Sequence, residues 1–451
     1  MKKLIKIAAI ILATLVMSCT KDFLEKKPDK ALVVPQTLDD LQALLDDTYT
    51  MNQRYPATGE VASDNYYLND QNYNAVAGLV TKNAYIWKKN VFDDGDRNDW
   101  SLCYAVVFYS NVVLEALNKI TPTIQEKEKW ETIKGTALFY RALAFYNLSQ
   151  LFMKPYDNEN AGEELGIVLR LTPDINEPSQ RSSMKDTYEA ILNDLHVALE
   201  ILPKTVLAKT RPSLTACKAL LARVYLSMEK YQEAANMADE SLKDYDKLID
   251  YNTISKTSIR PFSLFNDEVI FHYTLFGQPI SLARIEPTLY DQYEENDLRK
   301  VLYFREAPGT DLYSFKGSYQ GGSTMFGGLA TDELYLIRAE CAARTGNIES
   351  ALNDLNTLLQ KRWSNVVKYN PLSESNRDVV LAKVLAERRK SLVFRGLRWS
   401  DLRRLNKDRR FKTVISRNLN GEIFQLMPES RSYIFQIPQK VINNNGMMQN
   451  E

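Results

Sequence analysis

Residues 213–245 read SLTACKALLARVYLSMEKYQEAANMADESLKDY, and this stretch decides the fold. Leu221, Ala222, Tyr225, Tyr231 and Ala234 fall at the positions two packed helices use: small residues where the helices cross closely, large ones beside them. Residues 331–361, TDELYLIRAECAARTGNIESALNDLNTLLQK, repeat the arrangement. Ala339, Ile348 and Ala351 reproduce the offsets of Ala222, Tyr231 and Ala234, and Gly346-Asn347 stands in the turn between the helices. Twelve residues separate the paired alanines in both copies.

This is the pattern of a tetratricopeptide helix pair, and it predicts an all-α protein with a tetratricopeptide-like helix-pair scaffold, irregular loops and a few short strands. Regular arrays need three or more units, so the helical segments near 126–201 and 378–405 are read as degenerate partners of those near 213–245 and 331–361. Working outward, Thr37-Leu38-Asp39-Asp40 matches a capping box that opens an amphipathic helix through Leu41, Leu44 and Leu45. Further helices are expected from about Asp99 to Asn118, Glu126 to Phe152 and Lys185 to Ile201. Arg388 falls on an apolar stripe with Leu381, Leu385 and Leu392, so its charge is expected to find a carboxylate. From about Tyr251 to Ala330 helical periodicity fades and aromatics accumulate; a loop-rich insertion of this length is usually functional or carries short strands, and Glu268-Val269-Ile270-Phe271 reads as one.

The composition narrows the function. The 451 residues hold 57 basic and 57 acidic side chains and no long basic run, so no nucleic-acid partner is expected. There are two histidines, His196 and His272, far apart in sequence and with no Cys near either, which argues against a zinc enzyme. Trp87 and Trp100 flank Asp93, Asp94, Asp96, Asn98 and Asp99; the acids begin like a calcium loop, but Asp99 replaces the turn glycine and Ala105 the terminal Glu. An EF-hand is rejected, and Asn98 or Asp99 is read as a helix cap. With no nucleophile elbow, P-loop or His-based constellation, no catalytic residue, metal or cofactor is assigned.

The N-terminus reads as an address. Lys2, Lys3 and Lys6 precede an apolar run from Ile7 to Val16 that is too short to span a bilayer, and Leu15-Val16-Met17-Ser18-Cys19 looks like a bacterial lipobox. Residues 1–18 are therefore expected to be a cleaved signal, Cys19 the lipidated residue, 19–36 a tether and 37–451 a single domain. Loss of three lysines leaves the mature chain mildly acidic. No later apolar stretch of about 18 residues is expected to cross a membrane. Cys103, Cys217 and Cys341 are an odd number within apolar helical patterns, and are read as buried thiols.

Taken in order, these segments resemble the RagB/SusD outer-membrane nutrient-binding lipoproteins. The resemblance spans nearly the whole chain: the lipid Cys followed by Asp22-Phe23-Leu24; Ser63-Asp64-Asn65; Arg141-Ala142 with Phe145-Tyr146-Asn147-Leu148; and Glu268-Val269-Ile270-Phe271. It continues through Glu333-Leu334-Tyr335-Leu336-Ile337-Arg338-Ala339-Glu340, Asn353-Asp354-Leu355-Asn356, Glu387-Arg388-Arg389 to Asp401-Leu402, and Ile437-Pro438 with Gln449-Asn450. Ser391 and Arg395 depart from it, standing where the family often has Glu. The resemblance implies a binding protein rather than an enzyme, lipid-anchored in the outer membrane at the cell surface. It also implies a SusC/RagA-like TonB-dependent transporter as partner, to which a captured oligosaccharide is delivered. A peptide-binding RagB-like protein is the alternative, and a tetratricopeptide scaffold that binds only protein a further one.

The loop from Asp64 to Asn74 alternates Tyr with Asn and Asp. Tyr gives stiff contact area with a polar tip, and Asn and Asp give adaptable hydrogen bonds, a surface suited to sugar rings or peptides. The expected ligand-binding residues are Asp64, Asn65, Tyr66, Tyr67 and Tyr73 in this loop, Trp87 as a stacking platform, and Tyr273, Tyr290 and Tyr293 from the insertion, because family ligand contacts come from both regions. The competing reading is that these aromatics pack on the scaffold.

Overall fold

The computed structural model describes residues 35–92, 95, 97–277, 282–307, 312–316 and 319–451. Cys19, the signal segment and nearly all of the tether lie outside the described residues, as do Asp93, Asp94 and Asp96.

Among the described residues, ten helices of eight residues or more form the body: α1 (Leu38–Leu45), α2 (Asp99–Leu117), α3 (Lys127–Phe152), α4 (Met184–Ile201), α5 (Leu214–Ser227), α6 (Tyr231–Asp244), α7 (Thr331–Thr345), α8 (Ile348–Gln360), α9 (Arg377–Ser391) and α10 (Arg398–Leu405). Their starts follow from capping chemistry. Thr37 and Asp40 form the reciprocal box at α1, Asn98 and Ser101 the one at α2, and Ser213, Asn347 and Asn376 accept backbone N–H groups at α5, α8 and α9. Each helix from α2 to α8 packs on the next, and α9 packs on α7 and α8. Ala222, Ala234, Ala339 and Ala351 are fully buried, which is what lets α5 approach α6 and α7 approach α8. Gly346 takes the left-handed conformation (φ +90°) that ends α7; Glu229, at the same place in the earlier copy, is forced to φ +59°. The last pair diverges: α10 leaves α9 to pack against the short helix Thr58–Ala62 and α5.

The strands of the described residues form five antiparallel pairs: β1 (Tyr66–Tyr67) with β5 (Arg284–Ile285), β2 (Leu165–Val168) with β3 (Arg181–Ser183), β4 (Val269–Phe271) with β8 (Leu329–Ala330), β6 (Phe304–Glu306) with β7 (Tyr313–Phe315), and the hairpin β9 (Ile415–Leu419) with β10 (Glu422–Leu426). Strand β4 falls on the segment read as a strand from sequence. The helical architecture with a few short strands is thus the expected fold class.

Ion pairs stitch the helices together inside the core. Arg141 on α3 grips Asp194 on α4 (2.7 Å), Arg223 on α5 grips Glu333 on α7 (2.6 Å), Arg338 on α7 grips Asp354 on α8 (2.7 Å), and Arg404 on α10 grips Glu340 on α7 (2.7 Å). Arg388 does find its carboxylate, Asp401 of α10, at 2.8 Å. The two residues that depart from the family pattern are absorbed into the same mesh: Arg395 pairs with Asp332 (2.7 Å), and the Ser391 hydroxyl accepts from Arg299 (2.8 Å).

Two further expectations meet the structure here. Cys103, Cys217 and Cys341 are free and buried. The reading that no later stretch is apolar enough to cross a membrane is corrected by α2, which is long and apolar enough by length and composition; half of that stretch is buried within the protein.

Candidate functional site

Two segments far apart in the chain meet at β1 and β5. Tyr66 pairs with Ile285 and Tyr67 with Arg284, the Glu286 amide donates to Asn65 O (3.1 Å), and the Asn72 side-chain amide donates to Leu282 O (2.9 Å). Strand alternation then assigns the two tyrosines to opposite sides. Tyr66 points inward, donates to Val61 O (2.7 Å) and packs near Tyr85 and Phe394. Tyr67 points outward and stays half-buried.

Beside Tyr67 opens a cleft of about 490 Å³, walled by Asp64, Tyr67, Glu286, Thr288, Arg389 and residues 413–418, which lead into and along β9. That volume lies within the range of small-ligand sites. Much of its polar lining is already committed to the fold. Asp64 holds Arg398 through both oxygens (2.6 and 2.8 Å) and Arg389 at 3.1 Å. Burial alone would raise its carboxyl, but the two guanidinium groups carry it well below the usual range. Arg417 donates to the carbonyls of Tyr85, Ala62 and Ser63, with its guanidinium 3.5 Å from the Tyr85 ring centroid.

Four lining groups are not committed. Among the described residues the Tyr67 hydroxyl, the Glu286 carboxylate, the Thr288 hydroxyl and the Asn418 amide have no hydrogen-bond partner. Partial burial raises the Glu286 carboxyl, with Arg389 and Arg417 opposing and Asp64 adding to the rise. Past Thr288, Tyr290 stacks on Tyr313 with centroids 3.7 Å apart and planes within 15°, and Lys300 lies 5.0 Å from the Tyr290 centroid. Arg284, opposite Tyr67, donates to Ser314 beside Tyr313 (2.9 Å).

Of the residues expected to bind ligand, the cleft brings together Asp64, Tyr66 and Tyr67, and only Tyr67 offers a free side chain. Asn65 is buried, donating to Glu60 (2.9 Å) and accepting from Arg389. Tyr73 is half-buried against Tyr85, with Lys82 near its ring. Three expectations are corrected. Trp87 is no exposed platform: its indole donates to Ala62 O (2.9 Å) and Arg417 covers its ring. Tyr273 accepts from Arg223 (2.9 Å) inside the core, and Tyr293 donates to Lys390 O (2.8 Å). All three are at most 6% exposed, because each hydroxyl or indole is needed to satisfy a buried backbone group or charge. Glu286, Thr288 and Asn418 went unnoticed in the sequence. A signal existed for Asn418: Asn420-Gly421 between alternating residues marks a tight hairpin.

Helix α2 starts at the Asn98 cap, while Asp99 accepts from the Thr58 amide (3.1 Å). Among the described residues no three His, Cys, Asp or Glu side chains cluster as a metal site.

Known proteins share this fold. A family described as starch-binding, associating with the outer membrane, matches residues 22–226, and the SusD family matches residues 331–451. The chain belongs to the SusD family. Among its relatives, SusD-like protein P2 of Formosa agariphila is 22% identical over an alignment of 439 residues, covering 80% of this chain and 82% of that one. A SusD superfamily protein of Bacteroides vulgatus has the same fold, with a TM-score of 0.73 at 20% identity over 92% of this chain and 99% of that one. A laminarin-binding SusD-like protein superposes with a TM-score of 0.64 at 18% identity, over 91% of this chain and 97% of that one.

Proposed function

We propose that this SusD-family chain is a cell-surface lipoprotein, anchored through Cys19, that captures an oligosaccharide in the β1–β5 cleft and delivers it to a SusC-like TonB-dependent transporter. The observation that carries the reading is the set of unpartnered polar groups beside Tyr67. A pyranose has an apolar face and a rim of hydroxyls; Tyr67 meets the face, and Glu286, Thr288 and Asn418 meet the rim. The family's description as starch-binding and a laminarin-binding structural neighbour support a sugar over a peptide. Delivery and anchoring rest on the family and on the lipobox-like sequence.

Titration calorimetry of soluble protein starting after Cys19, against laminarin, soluble starch and a protein digest in turn, tests the ligand class. Heat with a glycan that disappears in Tyr67→Ala supports capture in this cleft. Heat with the digest alone overturns the sugar reading in favour of peptide uptake. Replacement of Cys19 by Ala, followed by membrane fractionation, is expected to release the protein from the membrane.

A further inference from the structure

We propose that Glu286 selects the ligand of the cleft: its carboxylate accepts two neighbouring hydroxyls of a neutral sugar and turns away sugars that carry a carboxylate or sulfate. This rests on the sugar-binding reading above and names the chemistry of that same site.

Few of the charges that line the cleft are within reach of a ligand. Asp64 is spent on Arg398 and Arg389. Arg417 lies beneath the surface, bonded to three carbonyls. Arg389 donates to Asp64 O at 2.6 Å and to Asn65 Oδ1 at 3.4 Å. Glu286 is therefore the cleft-lining charge with neither a hydrogen bond nor an ion pair among the described residues. Its position is fixed all the same, because its amide is tied to Asn65 O and its carbonyl accepts from Leu289 and Tyr290.

A half-buried carboxylate that the fold does not engage keeps its oxygens open to donors on a ligand. A carboxylate has two acceptor oxygens, and a vicinal diol presents two donors at matching spacing. The flanking groups fit the same ligand. Thr288 and Asn418 both donate and accept, Tyr67 provides a ring face, and none of them adds a positive charge. An acidic sugar would bring its anion against Glu286 in a partly desolvated cleft, where like charges repel strongly. The guanidinium groups below serve Glu286 instead: Arg389 and Arg417 oppose the effect of burial on its carboxyl.

The test is an array of neutral plant and algal oligosaccharides printed beside uronate- and sulfate-bearing counterparts, probed with wild type, Glu286→Gln and Glu286→Asp. Wild type is expected to bind neutral members and to bind their acidic counterparts at least ten-fold more weakly. Glu286→Gln should lose roughly ten-fold on the neutral members and bring the two classes within about three-fold, since a charged acceptor makes the stronger bond. Glu286→Asp keeps the charge on a shorter arm, so it should lose neutral affinity but keep the discrimination. Lower pH should weaken wild-type binding and leave Glu286→Gln unmoved; Arg389, Arg417, Asp64 and Tyr67 face the carboxylate in both measurements. A melting temperature no lower than wild type shows that Glu286→Gln is folded. Acidic glycans bound as well as neutral ones, or a preference unchanged in Glu286→Gln, overturns the assignment and leaves sugar capture standing. No glycan retained by wild type overturns the capture reading, and the assignment with it.

Discussion

Glu333, in the first turn of α7, and Glu286, just before the 287–290 turn, are the same residue type used in opposite ways. Glu333 is 2% exposed and holds Arg223 with both oxygens, at 2.9 and 2.6 Å. Glu286 is half-buried and holds nothing in the described chain. The scaffold pairs such buried charges helix against helix, while the cleft leaves a few polar side chains on one wall uncommitted to the fold. Polar side chains left uncommitted by the fold, more than aromatic content, mark the cleft proposed for a ligand.

Five substitutions would break or sharpen this contrast. The largest effect is expected from Glu333→Ala, which strands the buried Arg223 and should cost about 3–5 kcal/mol in chemical denaturation; a loss below about 1 kcal/mol would mean that the scaffold's ion mesh does not hold the helices. Acid comes next. Burial alone would raise the Glu340 carboxyl, but Arg404, Arg344 and Arg388 bring it down to about 2. A carboxyl lowered in the folded state contributes stability above its unfolded value near 4.5 and loses it as pH falls toward 2, on the order of a few kcal/mol. Glu340→Gln should flatten that acid limb. Glu286 has the opposite sign, since its folded carboxyl is raised: its ionisation costs stability at higher pH, so Glu286→Gln should leave the acid limb of wild type in place and be no less stable than wild type at neutral pH.

Tyr67→Ala is expected to leave the denaturation midpoint in place and to weaken glycan binding by about 1–2 kcal/mol, read by calorimetry. A shifted midpoint would move Tyr67 from the cleft's account to the scaffold's. Smallest is Gly346→Ala. Nothing lies within 4 Å of an added methyl, so the cost is that of the left-handed backbone alone, about 1 kcal/mol, with no change in binding.

The scaffold was legible because its signal is local and periodic. Ala222 and Ala339 sit twelve residues before Ala234 and Ala351, and a small residue at a helix crossing has few other uses. Arg388 was legible for the same reason, a charge on an apolar stripe. The cleft was legible only in part. Tyr66 and Tyr67 are neighbours with opposite fates, decided by a two-residue pairing with Arg284 and Ile285 that no local pattern announces. Trp87, Tyr273 and Tyr293 carry the residue types of a sugar platform, yet each is consumed by a backbone carbonyl or an arginine from elsewhere in the chain. Glu286 and Asn418 become neighbours of Tyr67 only in three dimensions.

The pairing of β1 with β5 also sets an order of events. Asn72 reaches Leu282 across 210 positions of chain, and the third wall, from β9, arrives from further still. The helix pairs, by contrast, are made of contacts between near neighbours, which close sooner and at lower entropic cost. The cleft therefore assembles late, once the helices that carry its walls have docked. Binding competence appears with the last stage of folding, and a chain still partly extended has no site to occupy.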